Sequence, residues 1–247
     1  MRVDFVTHCY AKQFPHFAAA LYLQLSTICN QVSTKHQASI TVFYCEEDRH
    51  TCNVLNLFSD SKRTKSATLA CVPMRVENLG RRSIGRNFAA ENTSADYVWF
   101  TDVDYWFDAN VVDDLCTMQW PKDAVMVFPQ NINISKTHEL GDKLLKYYAG
   151  VYEGTTGSVP YTPNLQVRDY CDKTYYKAIG GVQIVKGSFA TENGYVRGGK
   201  WQIPSTKPFG DFKDDIAYRN ACRLLGKIVP VELKGVYRIR HTETSYQ

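Results

Sequence analysis

Short apolar runs alternate with stretches of helical spacing over the first half of the chain. Apolar runs of strand length occur at 3–7, 39–45, 68–76, 97–101 and 125–128. Helical patterns separate several of them, most clearly at 15–31 and 86–94. Near-continuous apolar strands that alternate with helices indicate a mostly parallel sheet covered on both faces. The pattern therefore predicts an α/β fold.

The second half is less regular. Residues 150–178 are rich in glycine, proline and tyrosine and predict loops, and 194–215 predicts a long, mobile connection. Apolar patterns predict a strand at 180–185, a helix at 214–226 and a strand at 228–233. No internal repeat or linker divides the chain, so we expect a single domain over 1–247.

Composition and charge narrow the class of protein. A chain with 44% hydrophobic and 22% charged residues has the balance of an ordinary folded domain. A net charge of +4 is too mild for a dedicated nucleic-acid binder, so we expect no nucleic-acid partner.

The cysteine spacing and the apolar runs bear on location. None of the 8 cysteines forms a C-x-x-C pair, which argues against a structural zinc site. The N-terminal residues predict a strand rather than a signal peptide, and no apolar run is long enough to span a membrane. We therefore expect a cytoplasmic protein with no transmembrane segment.

Two carboxylates, Asp102 and Asp104, directly follow the apolar run at 97–101. Residues two apart in an extended segment point to the same side, so both could face one ligand. Adjacent carboxylates repel each other unless a cation lies between them, and hard oxygen donors suit Mg²⁺ or Mn²⁺. The alternative is a polar loop that follows a strand.

The segment GRNFAAENTSADYVWFTDVDYWF, residues 85–107, resembles the centre of nucleotide-sugar-dependent glycosyltransferases with the GT-A fold, especially family 2-like members. Arg86, Asn87, Asp102 and Asp104 match an Arg-Asn pair that opens a helix and a DxD motif after a strand. The resemblance implies that Asp104 binds Mn²⁺ or Mg²⁺ on the donor diphosphate. It implies that Asp102 contacts the ribose or the metal shell, and that Arg86 can reach a diphosphate oxygen.

A second segment, GDFKDDIAYR at 210–219, is similar to the acidic motif that opens a helix in inverting members of that group. The likeness implies that Asp215 is the catalytic base and that Asp214 holds acceptor hydroxyls, with Asp211 in reserve. Lys213 departs from the usual pattern and leaves the choice of base open. The alternative is that the acids cap the helix.

Six further positions are weaker candidates for the same site. By resemblance, Thr7 and Glu46 follow strands that bind the nucleotide, and His241 is a third metal ligand. Gly181 could allow close approach of the sugar, and Trp201 could stack on its face, as could the neighbouring Tyr195. For each of these residues an ordinary loop or packing role is the alternative.

These features together predict a metal-dependent, inverting glycosyltransferase. It would move a sugar from a nucleoside-diphosphate sugar, with UDP-sugar favoured, to a carbohydrate or glycoconjugate acceptor. We expect a nucleotide-binding half at 1–108 and an acceptor-binding half at 109–247. One alternative is a sugar-phosphate nucleotidyltransferase, although residues 8–16 lack the Gly and Arg of its phosphate loop. The other is a non-catalytic module that binds a sugar or nucleotide.

Overall fold

The computed structural model describes residues 1–12, 14–33, 35–59, 67–152, 169–204 and 213–242. The strands are β1 (Arg2–His8), β2 (Gln37–Tyr44), β3 (Ala67–Pro73), β4 (Tyr97–Phe100), β5 (Tyr105–Phe107), β6 (Ala124–Pro129), β7 (Asn131–Ser135), β8 (Tyr170–Thr174), β9 (Gln183–Lys186), β10 (Lys227–Val231) and β11 (Val236–Arg238). The helices are α1 (His16–Ile28), α2 (Arg49–Ser59), α3 (Val76–Leu79), α4 (Arg82–Asn92), α5 (Val111–Thr117), α6 (His138–Tyr152), α7 (Gly187–Asn193) and α8 (Asp214–Leu225).

A seven-stranded sheet forms the centre of the molecule, in the order β10-β6-β9-β4-β1-β2-β3. β1 to β4 are parallel to one another, as are β6 and β10, while β9 is antiparallel to both of its neighbours. The predicted α/β architecture with a mostly parallel sheet is confirmed. Strands from both sides of residue 108 share this sheet, and the division into two functional halves stays a prediction.

A second, four-stranded sheet in the order β5-β11-β7-β8 was not predicted. The expectation of loops over 150–178 is wrong at β8 and at the end of α6, while 153–168 lie outside the described residues. β8 escaped prediction because its sequence YCDKT is largely exposed and carries no apolar period. β5 has only three residues, too few for a pattern to be recognised.

Two further predictions need correction, one of a helix and one of the long connection. α4 begins at Arg82 rather than at residue 86, and a 3₁₀ turn at Gly199–Gln202 packs on its first turn. The expected mobile connection at 194–215 is therefore partly ordered, while its residues 205–212 lie outside the described part of the chain. Within the parts described, no helix is both long and apolar enough to cross a membrane.

The two sheets meet around Trp99, which is fully buried. Its ring stacks on Phe5 at 5.4 Å between centroids and meets Phe107 of the second sheet edge-on at 5.0 Å. Trp99 Nε1 donates to the carbonyl oxygen of Gly181 at 3.3 Å. The aromatic core therefore also fixes the glycine pair that precedes β9.

The sheet topology brings distant segments to one edge. The parallel strands β1, β2 and β4 end there, and the antiparallel β9 begins there, because Phe100 pairs with Gln183. α4 leads into β4 and α8 leads into β10, so both helices start at this edge. An open α/β sheet binds ligands at the carboxyl ends of its strands. A ligand-binding site is therefore expected at this edge.

One substitution tests the packing at the opposite edge of the sheet, where β9 ends and β4 begins. A Cβ atom on Gly187 would lie 1.8 Å from the carbonyl oxygen of Ala95, so the backbone has to move in Gly187→Ala. We expect a loss of about 1–3 kcal/mol in the free energy of unfolding, measured by chemical denaturation. The exposed neighbour Ser188 is the control, and Ser188→Ala should change it by less than about 0.5 kcal/mol. Equal stability of the two variants would contradict the close contact between Gly187 and Ala95.

Candidate functional site at the carboxyl edge of the sheet

Asp102 follows β4 and is held by two arginines from α4. Its Oδ1 accepts a hydrogen bond from Nη2 of Arg86 at 2.9 Å and also forms an ion pair with Nη1 of Arg82. Burial alone would raise the pKa of Asp102, but the two guanidinium groups outweigh it and lower the pKa. Asp102 therefore stays ionised, while its Oδ2 accepts no hydrogen bond from any described residue.

Arg86 has no exposed side-chain surface. Its Nη2 also donates to the carbonyl oxygen of Thr101 at 3.1 Å, and its Nη1 donates to the hydroxyl of Tyr195 at 2.9 Å. A guanidinium buried in this way is tied to the end of β4 and orients Asp102. In this conformation Arg86 cannot touch a diphosphate directly, so the predicted contact stays a prediction.

The hydrogen bonds continue from Arg86 to the start of α8. The hydroxyl of Tyr195 donates to Oε1 of Gln183 at 3.0 Å, and Nε2 of Gln183 donates to the carbonyl oxygen of Asp215 at 3.0 Å. Tyr195 and Gln183 are both fully buried. We call the set of Arg86, Tyr195 and Gln183 the buried polar chain. It links the carboxylate after β4 to the first turn of α8.

The sequence analysis missed Gln183. The signal available was a glutamine inside the apolar run at 180–185, because a buried polar side chain in a strand needs a partner. Tyr195, predicted as a possible platform for a sugar, is fully buried and has no free face in this conformation.

Asp215 and Asp102 both lie against Gly180, on the side where a side chain would project. A Cβ atom on Gly180 would lie 3.3 Å from Cβ of Asp215 and 3.5 Å from Oδ2 of Asp102. Burial raises the pKa of Asp215, and Arg86 and Arg82 offset only part of that rise. A carboxylate with a raised pKa is a stronger base. The structure thus brings together two of the acids singled out in the sequence.

Asp214 has a different setting. Its Oδ2 accepts a hydrogen bond from the backbone N–H of Ser83 at 3.0 Å, and its Oδ1 accepts one from the N–H of Asp215 at 3.0 Å. The side chain is buried and caps the first turn of α4 from another helix. This geometry favours the capping interpretation, and the predicted contact of Asp214 with acceptor hydroxyls stays a prediction. Asp211 lies outside the described residues.

Asp104 is not an extended neighbour of Asp102. The N–H of Tyr105 donates to the carbonyl oxygen of Asp102 at 3.2 Å, so the two acids lie in a tight turn rather than along a strand. Oδ2 of Asp104 accepts from Nε of Arg238 at 2.8 Å, and its side chain is only 9% exposed. Because the two acids lie in a turn, the alternation of side chains along a strand does not place them on the same side. Each carboxylate is held by arginines from a different element.

His241 lies in a buried aromatic cluster rather than at the surface. Its ring is 4.8 Å from that of His16 and 5.3 Å from that of Phe17, between centroids. Burial lowers the pKa of His241 to about 4, although the charge of Asp104 opposes the shift. The imidazole is therefore neutral near pH 7, which is the form that binds metals.

The donor chemistry at this edge suits a divalent cation only in part. Oδ2 of Asp102 and Oδ1 of Asp104 accept no hydrogen bond from the described residues, so each carboxylate keeps one oxygen for a ligand. Mg²⁺ and Mn²⁺ commonly take one or two carboxylates and complete their shell with phosphate oxygens and water. Across the residues described, however, no three His, Cys, Asp or Glu side chains are grouped closely enough to hold a metal. The donor set fits a cation shared with a diphosphate, but not a three-residue protein site that includes His241.

The remaining predicted residues surround the edge. Thr7 is fully buried at the end of β1, and Glu46 is exposed in the loop after β2. Gly181 packs against the ring of Tyr105, where an added Cβ would lie 2.2 Å from Cε2. Trp201 is partly exposed, and its carbonyl oxygen accepts from Oγ of Ser83 at 2.5 Å. Gly181 thus has a packing role, while Trp201 lies beside the start of α4.

Comparisons with known proteins support the fold. No protein-family model matches the chain, and neither does any curated protein sequence. The mannosyltransferase PcManGT from Pyrobaculum calidifontis, in complex with GDP-Man and Mn²⁺, matches with a TM-score of 0.57 and 12% identity over 99% of this chain. S. aureus TarS 1–349 matches with a TM-score of 0.54 and 11% identity over 96% of this chain. TarS in complex with UDP-GlcNAc gives a TM-score of 0.53.

The match does not extend over the whole of those proteins. The chain covers 58% of the mannosyltransferase chain and 60% of TarS 1–349. At such low identity the likeness is one of fold alone. It confirms the fold that was predicted from the sequence, which is the fold of known glycosyltransferase structures.

Tyr195→Phe tests the buried polar chain. The substitution removes only a hydroxyl, but it leaves Nη1 of Arg86 and Oε1 of Gln183 without that partner in a buried site. We expect a loss of about 1–3 kcal/mol in the free energy of unfolding, measured by denaturation. Tyr176, whose side chain is 88% exposed, provides the matched control, because Tyr176→Phe should have almost no effect. A Tyr195→Phe variant as stable as the control would show that the hydroxyl contributes nothing.

Proposed function

We propose that the chain is a glycosyltransferase that moves a sugar from a nucleoside-diphosphate sugar to a hydroxyl group of a carbohydrate or glycoconjugate. The observation that carries the proposal is the placement of Asp102 and Asp215 together against Gly180, at the carboxyl edge of this sheet. A metal-assisted transfer of this kind needs a carboxylate that can hold the cation beside the donor diphosphate and a base near the acceptor. The fold is shared with a mannosyltransferase solved with GDP-Man and Mn²⁺, which favours the same chemistry.

In this proposal the donor diphosphate lies beside Asp102, Asp104 and the start of α4. A divalent cation held by the two carboxylates would offset the charge of the departing diphosphate. The N-terminus of α4 adds partial positive charge at the same place. Arg82 is 17% exposed whereas Arg86 has no exposed side-chain surface, so Arg82 is the better candidate for a direct bond to a phosphate oxygen.

Asp215 acts as the base in this proposal. Its carboxylate takes the proton from the acceptor hydroxyl, and that oxygen attacks the anomeric carbon from the face opposite the diphosphate. The reaction therefore inverts the anomeric configuration. Its raised pKa makes Asp215 a better proton acceptor than an exposed aspartate, and Asp102 lies near it against the same glycine.

UDP-sugar is the favoured donor, with GDP-sugar next. The two neighbours of known complex differ here, since TarS was solved with UDP-GlcNAc and the mannosyltransferase with GDP-Man. Thr7 and Glu46 lie at the ends of adjacent strands and are the proposed nucleotide contacts. Trp201, beside the start of α4, is the proposed sugar contact. A thermal-shift screen of nucleoside diphosphates and sugar nucleotides, with and without Mn²⁺, tests this assignment.

Asp104→Asn tests the metal assignment. Asparagine keeps the size of the side chain and an oxygen for Arg238, so the fold is retained while one negative charge is lost. Alanine would be a poorer choice, because it would leave the guanidinium of Arg238 without its partner. We expect the Mn²⁺-dependent part of UDP affinity, measured by calorimetry, to fall by about tenfold or more.

The control for this variant is Glu192→Gln, which removes a negative charge from an exposed helix position away from Asp104. It should leave the Mn²⁺-dependent affinity as it is. If Asp104→Asn also leaves it unchanged, the metal does not bind at Asp104.

Asp215→Asn tests the base. We expect turnover to fall by about 10²–10⁴-fold, because a general base contributes on that order, while donor affinity stays nearly unchanged. Asp214→Asn is the contrasting variant. It should cost about 1–3 kcal/mol of stability, because its buried amide nitrogen would face a backbone N–H in place of one accepting oxygen, with a much smaller effect on turnover.

Normal turnover in Asp215→Asn would mean that another group, with Asp211 the next candidate, is the base. A product with the donor's own anomeric configuration, determined by NMR, would contradict inversion. Donor binding with neither transfer nor slow donor hydrolysis would favour a non-catalytic binding module. Release of pyrophosphate from a nucleoside triphosphate and a sugar phosphate would favour a nucleotidyltransferase.

A further inference from the structure

A surface cleft of ≈ 380 Å³ lies at the β10 edge of the seven-stranded sheet. Ligand pockets commonly have volumes of about 300–1,000 Å³, so the cleft is large enough for one or two sugar units. β10, the end of α8 and the loop that follows β8 line it. The residues that matter below are Tyr176, Lys177, Arg223, Lys227 and Pro230.

The side chains that line the cleft give it a positive charge. Lys177, Arg223 and Lys227 are all exposed, and none of the described lining residues is acidic. Asp123 lies 3.5 Å from the ammonium of Lys227, but both side chains are more than half exposed, so the pair is weak. Two of the three cations therefore have no carboxylate partner among the described residues.

Tyr176 adds an apolar surface beside these cations. Its side chain is 88% exposed, which is rare for a ring of this size. An exposed aromatic ring with a polar tip can pack against the apolar face of a sugar ring while its hydroxyl bonds to the sugar's edge. The combination suits a carbohydrate that carries negative charge.

The sheet edge itself argues against a peptide in this position. Among the described strands β10 pairs only with β6, so its outer edge is open. Pro230 lies within β10 and lacks an N–H, and it therefore discourages a further strand from pairing there. Sugar hydroxyls need no regular ladder of hydrogen bonds and are compatible with such an edge.

Two chain segments that line the cleft lead to the proposed acceptor side of the site. The segment that follows Tyr176 leads directly to Gly180, and Nη1 of Arg219 anchors it by donating to the carbonyl oxygen of Ala178 at 2.6 Å. Arg219 lies on α8 one turn from Asp215, and Arg223 lies one turn farther on. The helical rise places Arg223 about 12 Å along α8 from Asp215.

We propose that this cleft binds an acidic stretch of the acceptor, so that the acceptor is an anionic polysaccharide rather than a neutral sugar. This proposal rests on the proposed transferase function for the meaning of "acceptor". The binding itself does not depend on turnover. Lys177 and Arg223 hold carboxylate or phosphate groups of the polysaccharide, and Tyr176 packs on a sugar ring between those groups.

The test measures direct binding of a fluorescent oligogalacturonide to the full chain by polarisation. Maltoheptaose serves as the neutral probe, in competition. We expect the oligogalacturonide to bind, and its affinity to fall as NaCl rises from about 50 to about 300 mM, because exposed charges are screened. Maltoheptaose should compete at least about tenfold more weakly. Lys177→Gln/Arg223→Gln should weaken oligogalacturonide binding by about five- to tenfold, as expected for two exposed ionic contacts.

Lys143→Gln/Lys146→Gln is the matched control. It removes two exposed cations from α6, which packs on α1 rather than on α8 or β10. Its affinity for the oligogalacturonide should equal that of the unmodified protein. Equal affinity in the cleft variant, or equal binding of maltoheptaose, would overturn the proposal. Equally tight binding of a single-stranded oligonucleotide at the same salt would also overturn it, because the cleft would then be a general polyanion site.

Donor binding separates this proposal from the function on which it rests. A thermal shift with UDP-sugar and Mn²⁺ reports on the Asp102 site and should be the same in both double variants. If the oligogalacturonide binds at the cleft but no sugar nucleotide binds anywhere, the transferase function fails while the cleft remains a carbohydrate site. If donors bind and the oligogalacturonide does not, only the cleft proposal fails.

Discussion

The rest of the site depends on how the buried guanidinium of Arg86 is paired and hydrogen-bonded. A charge removed from water is costly unless it is paired and hydrogen-bonded, and Arg86 meets both conditions through Asp102, the carbonyl of Thr101 and the hydroxyl of Tyr195. These partners come from the end of β4 and from the segment after α7. Any movement of one of them would leave the charge without a partner. Arg86 therefore fixes the geometry at the end of β4, and its own side chain is not exposed at the surface.

The start of α8, which carries the proposed base, is also held by buried contacts. Gln183 donates to the carbonyl of Asp215, and Asp214 caps the start of α4. The first turn of α8 is thus attached to β9 on one side and to α4 on the other. These buried contacts fix the position of Asp215. A strand that runs antiparallel to its neighbours makes this possible, because only then does Gln183 lie at the edge where β4 ends.

Much of the fold, but less of the site, could be predicted from the sequence. The strand before Asp102 was readable because YVWF is apolar throughout, and α8 because its acids precede an amphipathic run. The orientation of β9 was not readable, since an apolar run has no direction. β8 was missed because it is short and exposed. The role of Arg86 was out of reach for another reason: a motif identifies an arginine, but only tertiary contacts tell whether it faces a ligand or the core.

The two acids beside Gly180 have opposite electrostatic settings, and this difference follows from the same arginines. Asp102 receives two guanidinium groups on one oxygen, which lowers its pKa despite burial and keeps it charged. Asp215 lies farther from those charges, so burial dominates and raises its pKa. Two carboxylates whose surroundings move their pKa values apart can take different tasks, one as a fixed charge and one as a proton acceptor. In the proposed transfer, the charged Asp102 would help to hold a cation beside the donor while Asp215 takes a proton from the acceptor. Arg86 and Arg82 thereby do more than fix geometry: by pairing with Asp102 rather than with Asp215, they favour Asp215 over Asp102 as the base of the proposed reaction.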